Sequence, residues 1–147
     1  MIKITRNAQE TQRIAETLGS QAFKGLVFLL SGDLGAGKTT FTQGLAKGLA
    51  IDRTLSSPTF TLMKNYQGRL SLNHIDAYRL EHHFQDLGFE ELIGKDGVTV
   101  VEWPDFIKEL WPSHYIRIDF KRVDEFTREL HLSAVGVKEL ALLEVIK

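Results

Sequence analysis

A chain of 147 residues, 43% hydrophobic and 25% charged, has the size and balance of one soluble domain, 1–147, with a real core. The absence of cysteine excludes a disulfide framework and cysteine-based metal sites, and no apolar run approaches the ~20 residues of a membrane span. A net charge of −1 sets up no basic field, so any contact with nucleic acid is expected through a partner or a local patch. With no signal-like apolar segment at the N-terminus, a cytoplasmic location is the default expectation, and a monomer is the favoured state of the chain alone.

Met1 to Thr5 reads as a short edge strand. Asn7 followed by Glu10 has the spacing of a capping box and opens a helix through about Leu18, with Ala8, Thr11, Ile14, Ala15 and Leu18 on one face and Gly19 as its stop. The apolar run Gly25–Ser31 suits a buried strand. It leads directly into Gly32-Asp-Leu-Gly-Ala-Gly-Lys-Thr-Thr40, which fits G-x-x-x-x-G-K-[ST] at Gly32, Gly37, Lys38 and Thr39. Phe41 to Ala50 follows with the periodicity of a helix.

Strand, glycine loop and helix together are the context in which this motif binds a nucleoside triphosphate. The glycines let successive N–H groups turn inward as an anion-binding nest, and the helix presents its positive end. Lys38 would reach the β- and γ-phosphates and the Thr39 hydroxyl would hold Mg²⁺.

Beyond the helix, Asp52–Ser57 is polar and loop-like. Thr59–Tyr66 and Arg69–Ile75 read as a β-hairpin around Gln67-Gly68. Phe84–Ile93 is helical in pattern and Gly94–Gly97 breaks it. The β-branched run Val98–Val101 suits a strand buried on both faces, and Pro104 opens a short helix to Leu110. His114–Phe120 and Thr127–Ser133 form a second antiparallel pair, while Val137–Ile146 is readable as strand or helix. The sum is an α/β domain, a P-loop NTPase-like three-layer fold with a mixed parallel and antiparallel sheet.

A P-loop needs an acid at a neighbouring strand end to complete a Mg²⁺ shell. Asp76 and Glu102 both qualify. The continuous apolar strand before Glu102 belongs at the sheet centre, which favours Glu102, unless it merely faces the surface, for acting on the metal or on water. Asp76 is then a residue behind the metal's own ligands or part of a switch, or else simply forms a turn. Ser57-Pro58-Thr59-Phe60 lies where γ-phosphate-sensing switches sit, or else Pro58 simply starts a strand. Asn73-His-Ile-Asp76 only superficially echoes a guanine-reading motif, since His74 replaces its lysine, and the adjacent His82 and His83 lack ligand spacing. Trp103 and Trp111 are core or partner-facing aromatics, without a choice between the two.

Four groups of residues carry a resemblance: GDLGAGKTT at 32–40, SPTF at 57–60, HIDAYRL at 74–80, and Glu102-Trp103-Pro104. Together, over nearly the whole chain, they resemble TsaE (also called YjeE), the small P-loop ATPase of tRNA threonylcarbamoyladenosine synthesis. The resemblance implies binding of ATP or ADP with Mg²⁺, weak ATPase activity alone, and action with the proteins TsaD and TsaB, which place threonylcarbamoyl on adenosine 37 of ANN-decoding tRNAs. Contact with tRNA would be indirect, through that complex. By motif, Gly35, Ala36, Gly37, Lys38, Thr39 and Thr40 would bind phosphates, Thr39 and Glu102 would hold the metal, and Lys38, Asp76 and Glu102 would serve catalysis. Glu10-Thr11-Gln12-Arg13-Ile14-Ala15 is similar, with altered spacing, to an early family pattern that would bring Thr11 near the adenine.

Two other readings share the P-loop. A small-molecule kinase would carry clustered arginines in a lid, which this chain lacks; a nucleotide-gated binding module would hydrolyse only incidentally. No arginine finger is evident; Arg79 or a residue from a partner would have to supply one.

Overall fold

The structure, a computed structural model, describes residues 1–52, 63–80 and 89–147. The switch-like Ser57–Phe60, the pair His82-His83, and the parts of the expected elements at 53–62 and 84–88 lie outside the described residues.

The sheet of the described residues has seven strands in the order β1-β7-β6-β2-β5-β4-β3. β2 (Val27–Ser31) is central, parallel to β5 (Val98–Glu102) on one side and to β6 (Tyr115–Arg122) on the other. β4 (Leu72–Asp76) continues the parallel set beside β5. β3 (Met63–Tyr66) and β7 (Arg128–Val135) fold back antiparallel on β4 and β6, and β1 (Ile2–Thr5) closes the edge against β7. Every residue of β5 is buried, as the β-branched run requires of a strand with neighbours on both sides and cover on both faces. Both the mixed sheet and the central place of Val98–Glu102 are as expected from sequence.

One face carries α1 (Ala8–Ser20), α2 (Lys38–Gly48) and α4 (Val137–Glu144), which bury the larger core with Phe28, Leu30, Leu72, Val98 and Val100. The other face is covered over β2, β5 and β4 by the 3₁₀ segments Ala77–Leu80 and Pro104–Leu110 and by Ile93, just past α3 (Phe89–Leu92), around Val27, Leu29, Ile75 and Val101. Phe41, in the first turns of α2, stands edge-on to Phe28 of β2 and Phe120 of β6, with ring centroids 5.8 and 5.7 Å away. That contact fixes where the P-loop helix starts relative to the sheet.

Several boundaries differ from the sequence reading. Gly19 does not stop α1, which runs to Ser20, and it is buried against α2: a Cβ there would lie 2.4 Å from the Leu45 carbonyl oxygen. α2 begins at Lys38 rather than Phe41, because the loop glycine Gly37 takes the left-handed N-cap position. Asn7 caps α1 as expected, its Oδ1 accepting from Glu10 N at 2.9 Å, but Glu10 reaches back to Arg6 N rather than to the cap residue's own N–H.

The first hairpin turns over Gln67–Ser71, wider than Gln67-Gly68. Arg69 is drawn out of the ladder, its N–H donating to the Leu49 carbonyl at 2.6 Å and its guanidinium to the carbonyls of Gly19 and Ala22 at 2.8 and 3.1 Å. These bonds tie the hairpin to the carboxyl-terminal ends of both helices, where carbonyls lack intrahelical partners. The ambiguous Val137–Ile146 is a helix over Val137–Glu144, with Leu142 and Leu143 turned into the core.

Candidate nucleotide-binding site

The carboxyl ends of β2, β5 and β4 meet at one edge of the sheet, the edge at which ligands of open α/β folds are bound. Gly32 to Gly37 leaves β2 there and turns into α2. Gly35 and Gly37 have φ of +78° and +113°, conformations that a side chain strongly disfavours. The loop is held low against the sheet, since a Cβ on Gly32 would sit 2.7 Å from the Phe120 carbonyl oxygen.

Strand alternation decides which side chains face this loop. Leu72, His74 and Asp76 of β4 and Val98, Val100 and Glu102 of β5 share the face covered by α1 and α2. Asp76 and Glu102 are register partners, so two carboxylates stand side by side at the strand ends. Glu102 is buried and accepts from His74 Nε2 at 2.5 Å, while Asp76 Oδ1 accepts from Tyr78 N at 3.1 Å.

Lys38 is only 5% exposed. Its ammonium donates to the Gly32 carbonyl at 2.7 Å and lies 3.8 Å from the centre of the Trp103 ring. Burial holds its pKa below the ordinary lysine range, against the opposing attraction of Glu102, Asp76 and Asp33. Trp103 therefore belongs to the site, and it occupies left-handed backbone (φ 57°, ψ 52°) at the start of the Pro104 segment. Trp111 sits away from it, donating its indole N–H to the Pro104 carbonyl at 2.8 Å and packing edge-on to Tyr115.

The cleft over this loop has a volume of about 430 Å³. It is lined by Gly35, Gly37, Lys38, Thr39, Thr40, Asp76, Glu102 and Trp103, and further along by Asn7, Ala8 and Thr11 of α1 and its cap. Thus the sequence-derived site residues converge, with one exception in kind: Ala36 is 1% exposed and packs beneath the loop, so only its backbone is offered. Thr11 is buried too, its hydroxyl bonded to that of Thr5 at 2.7 Å.

Sequence reasoning missed the third wall. Glu125 and Phe126 come from the β6–β7 turn and Arg128 from the first position of β7, and Arg128 Nη2 donates to the Gly35 carbonyl at 3.2 Å. Sequence carried no local signal for it: the turn reaches this edge because β6 pairs parallel to the P-loop strand, a pairing between segments far apart in the chain. Arg79, the arginine singled out from sequence, lies in the 3₁₀ segment after Asp76.

Among the described residues no group of three or more His, Asp or Glu side chains is arranged to hold a metal ion. A P-loop site does not require one, because phosphates and water complete the shell. The donors at hand, the Thr39 hydroxyl and the Glu102 and Asp76 carboxylates, are hard oxygens of the kind Mg²⁺ prefers, so this site fits that ion.

Comparison with known proteins shows the family. Residues 5–130 match the family model described as threonylcarbamoyl adenosine biosynthesis protein TsaE. A tRNA threonylcarbamoyladenosine biosynthesis protein TsaE of Bacillus subtilis is 45% identical over 95% of this chain and 89% of its own. One from Treponema pallidum is 40% identical over 86% and 96%. The crystal structure of Bacillus subtilis YdiB superposes with a TM-score of 0.82 at 39% identity, covering 98% of this chain and 91% of that one. The chain belongs to the TsaE family.

Proposed function

We propose that this protein binds ATP with Mg²⁺ in the cleft above Gly32–Thr40, hydrolyses it slowly alone, and thereby supports TsaD and TsaB in forming threonylcarbamoyladenosine at position 37 of ANN-decoding tRNAs. The observation that carries the reading is the convergence of Lys38, Thr39, Asp76 and Glu102 on one cleft at the mouth of a left-handed glycine loop.

Each residue's part follows from its place. Backbone N–H groups of Gly35–Thr40 would bind the phosphates, with the ammonium of Lys38 neutralising charge as the γ-phosphoryl group leaves. Thr39 and Glu102 would hold Mg²⁺, which when bound screens the β- and γ-phosphates. Asp76, beside Glu102 and exposed to the cleft, would accept a hydrogen bond from the attacking water and orient it. As the water oxygen bonds to the γ-phosphorus, the bond to the β–γ bridging oxygen breaks and ADP departs. Trp103 and the sheet edge exclude bulk water from beneath Lys38. Among the described residues no helix is long and apolar enough to cross a membrane, in keeping with a cytoplasmic site of action.

The test is multiple-turnover tRNA modification with purified TsaB and TsaD. Wild-type chain with ATP should sustain turnover, and Lys38→Ala should lower it by about a hundredfold or more, the scale of losing one preorganised cation or donor. Undiminished turnover with Lys38→Ala, or with a non-hydrolysable ATP analogue, would overturn the reading.

A further inference from the structure

A short buried polar contact on the sheet's α1/α2 face is one the nucleotide reading leaves unused. His74 Nε2 lies 2.5 Å from Glu102 Oε2, with the two side chains 1% and 8% exposed. His74 stands on β4 opposite Val100, two positions before Asp76, and strand alternation aims it at the same face as both carboxylates. Its other ring nitrogen, Nδ1, is buried without a partner among the described residues. An orphaned N–H in the interior costs more than an orphaned lone pair, so the proton belongs on Nε2 and the imidazole donates to Glu102.

This contact has a consequence for the carboxylate. Glu102 ends its strand with several rotatable bonds, and it also lines the cleft. The imidazole is a rigid arm rooted two residues back in the neighbouring strand; it restricts those rotations and leaves the rest of the carboxylate for the cleft. We propose that His74 is a positioning residue, fixing Glu102 in the rotamer that receives the divalent cation shared with the triphosphate. The proposal rests on the reading of Glu102 as a metal holder given above.

The experiment uses the full chain, a fluorescent ATP analogue, Mg²⁺ titrations, a parallel titration in EDTA, and thermal melts of every variant. His74→Leu should raise the Mg²⁺ midpoint for analogue binding about tenfold or more while leaving affinity in EDTA within about twofold. His74→Gln, whose amide nitrogen reaches about as far as Nε2, should return the midpoint to within about threefold of wild type. If His74→Leu does not fold, His74→Asn, polar but too short to reach Glu102, should show the shift that His74→Gln does not. An unchanged Mg²⁺ midpoint in folded His74→Leu or His74→Asn overturns the proposal, as does an equal loss in EDTA or a failure of glutamine to rescue. Glu102→Gln separates the two layers. If it shifts the midpoint while His74 variants do not, the positioning role alone falls; if it does not shift it, the metal-holding reading falls and takes this proposal with it.

Discussion

Lys38 is a cation placed where cations are costly, and its titration reports that cost. With its pKa held below 10.5 by burial, the unfolded chain binds more protons than the folded one between the lowered value and 10.5, and stability rises with pH across that window. Below the window the penalty is fully present. Lys38→Met abolishes the penalty, so its stability advantage over wild type should shrink as pH climbs toward 10.5, measured by denaturant unfolding along a pH series. A gap that widens with pH would mean that the ammonium is favoured where it lies. Arg128 contributes differently. Its guanidinium ties the Gly35 carbonyl to the carbonyls of Asp124 and Glu125, at 3.2, 2.9 and 3.2 Å. Arg128→Ala should weaken nucleotide binding roughly tenfold, the worth of a charge-assisted hydrogen bond, in an equilibrium titration. The shared cleft of Lys38, Thr39, Asp76 and Glu102 was legible, because a P-loop and two strand-end acids are recognised by residue type and spacing. Arg128 was not, since a lone arginine at the start of a strand has no pattern until the strand's direction is known.

At the scale of elements, the crossing of α1 and α2 decides where the P-loop helix lies. Backbone meets backbone there: a Cβ on Gly44 would be 2.4 Å from the Gln12 carbonyl oxygen, and one on Gly48 would be 2.2 Å from that of Glu16. Gly44→Ala should therefore destabilise the fold by roughly 1–3 kcal/mol through overpacking, despite alanine's better helix propensity. Phe41→Ala, which empties the space between Phe28 and Phe120, should cost about 3–5 kcal/mol. Urea unfolding of both variants checks these values, and a stabilised Gly44→Ala would refute the close crossing. Periodicity located both helices because an apolar face is a property of one segment. It misassigned Gly19 as a stop because glycine at a helix end and glycine at a helix crossing look alike in one dimension. The widened turn at Gln67–Ser71 was hidden for a related reason, since the bonds that pull Arg69 out of the strand go to helix ends distant in sequence.

The whole molecule is a parallel core with antiparallel flanks, and its order follows from burial. The fully buried strand Val98–Glu102 sits beside the P-loop strand, so that its terminal acid emerges at the phosphate loop. That placement was legible from the β-branched run alone. Which edge the β6–β7 turn would occupy was not, because strand order is set by pairings between distant segments. The central claim is that this edge cleaves ATP in the service of tRNA modification, and one measurement tests it most directly: phosphate release from ATP by the chain mixed with TsaB and TsaD, for wild type and Glu102→Ala. Wild type should exceed its rate alone, and Glu102→Ala should fall about a hundredfold or more below it. Phosphate release that is indifferent to the partners and to the loss of Glu102 would contradict the account.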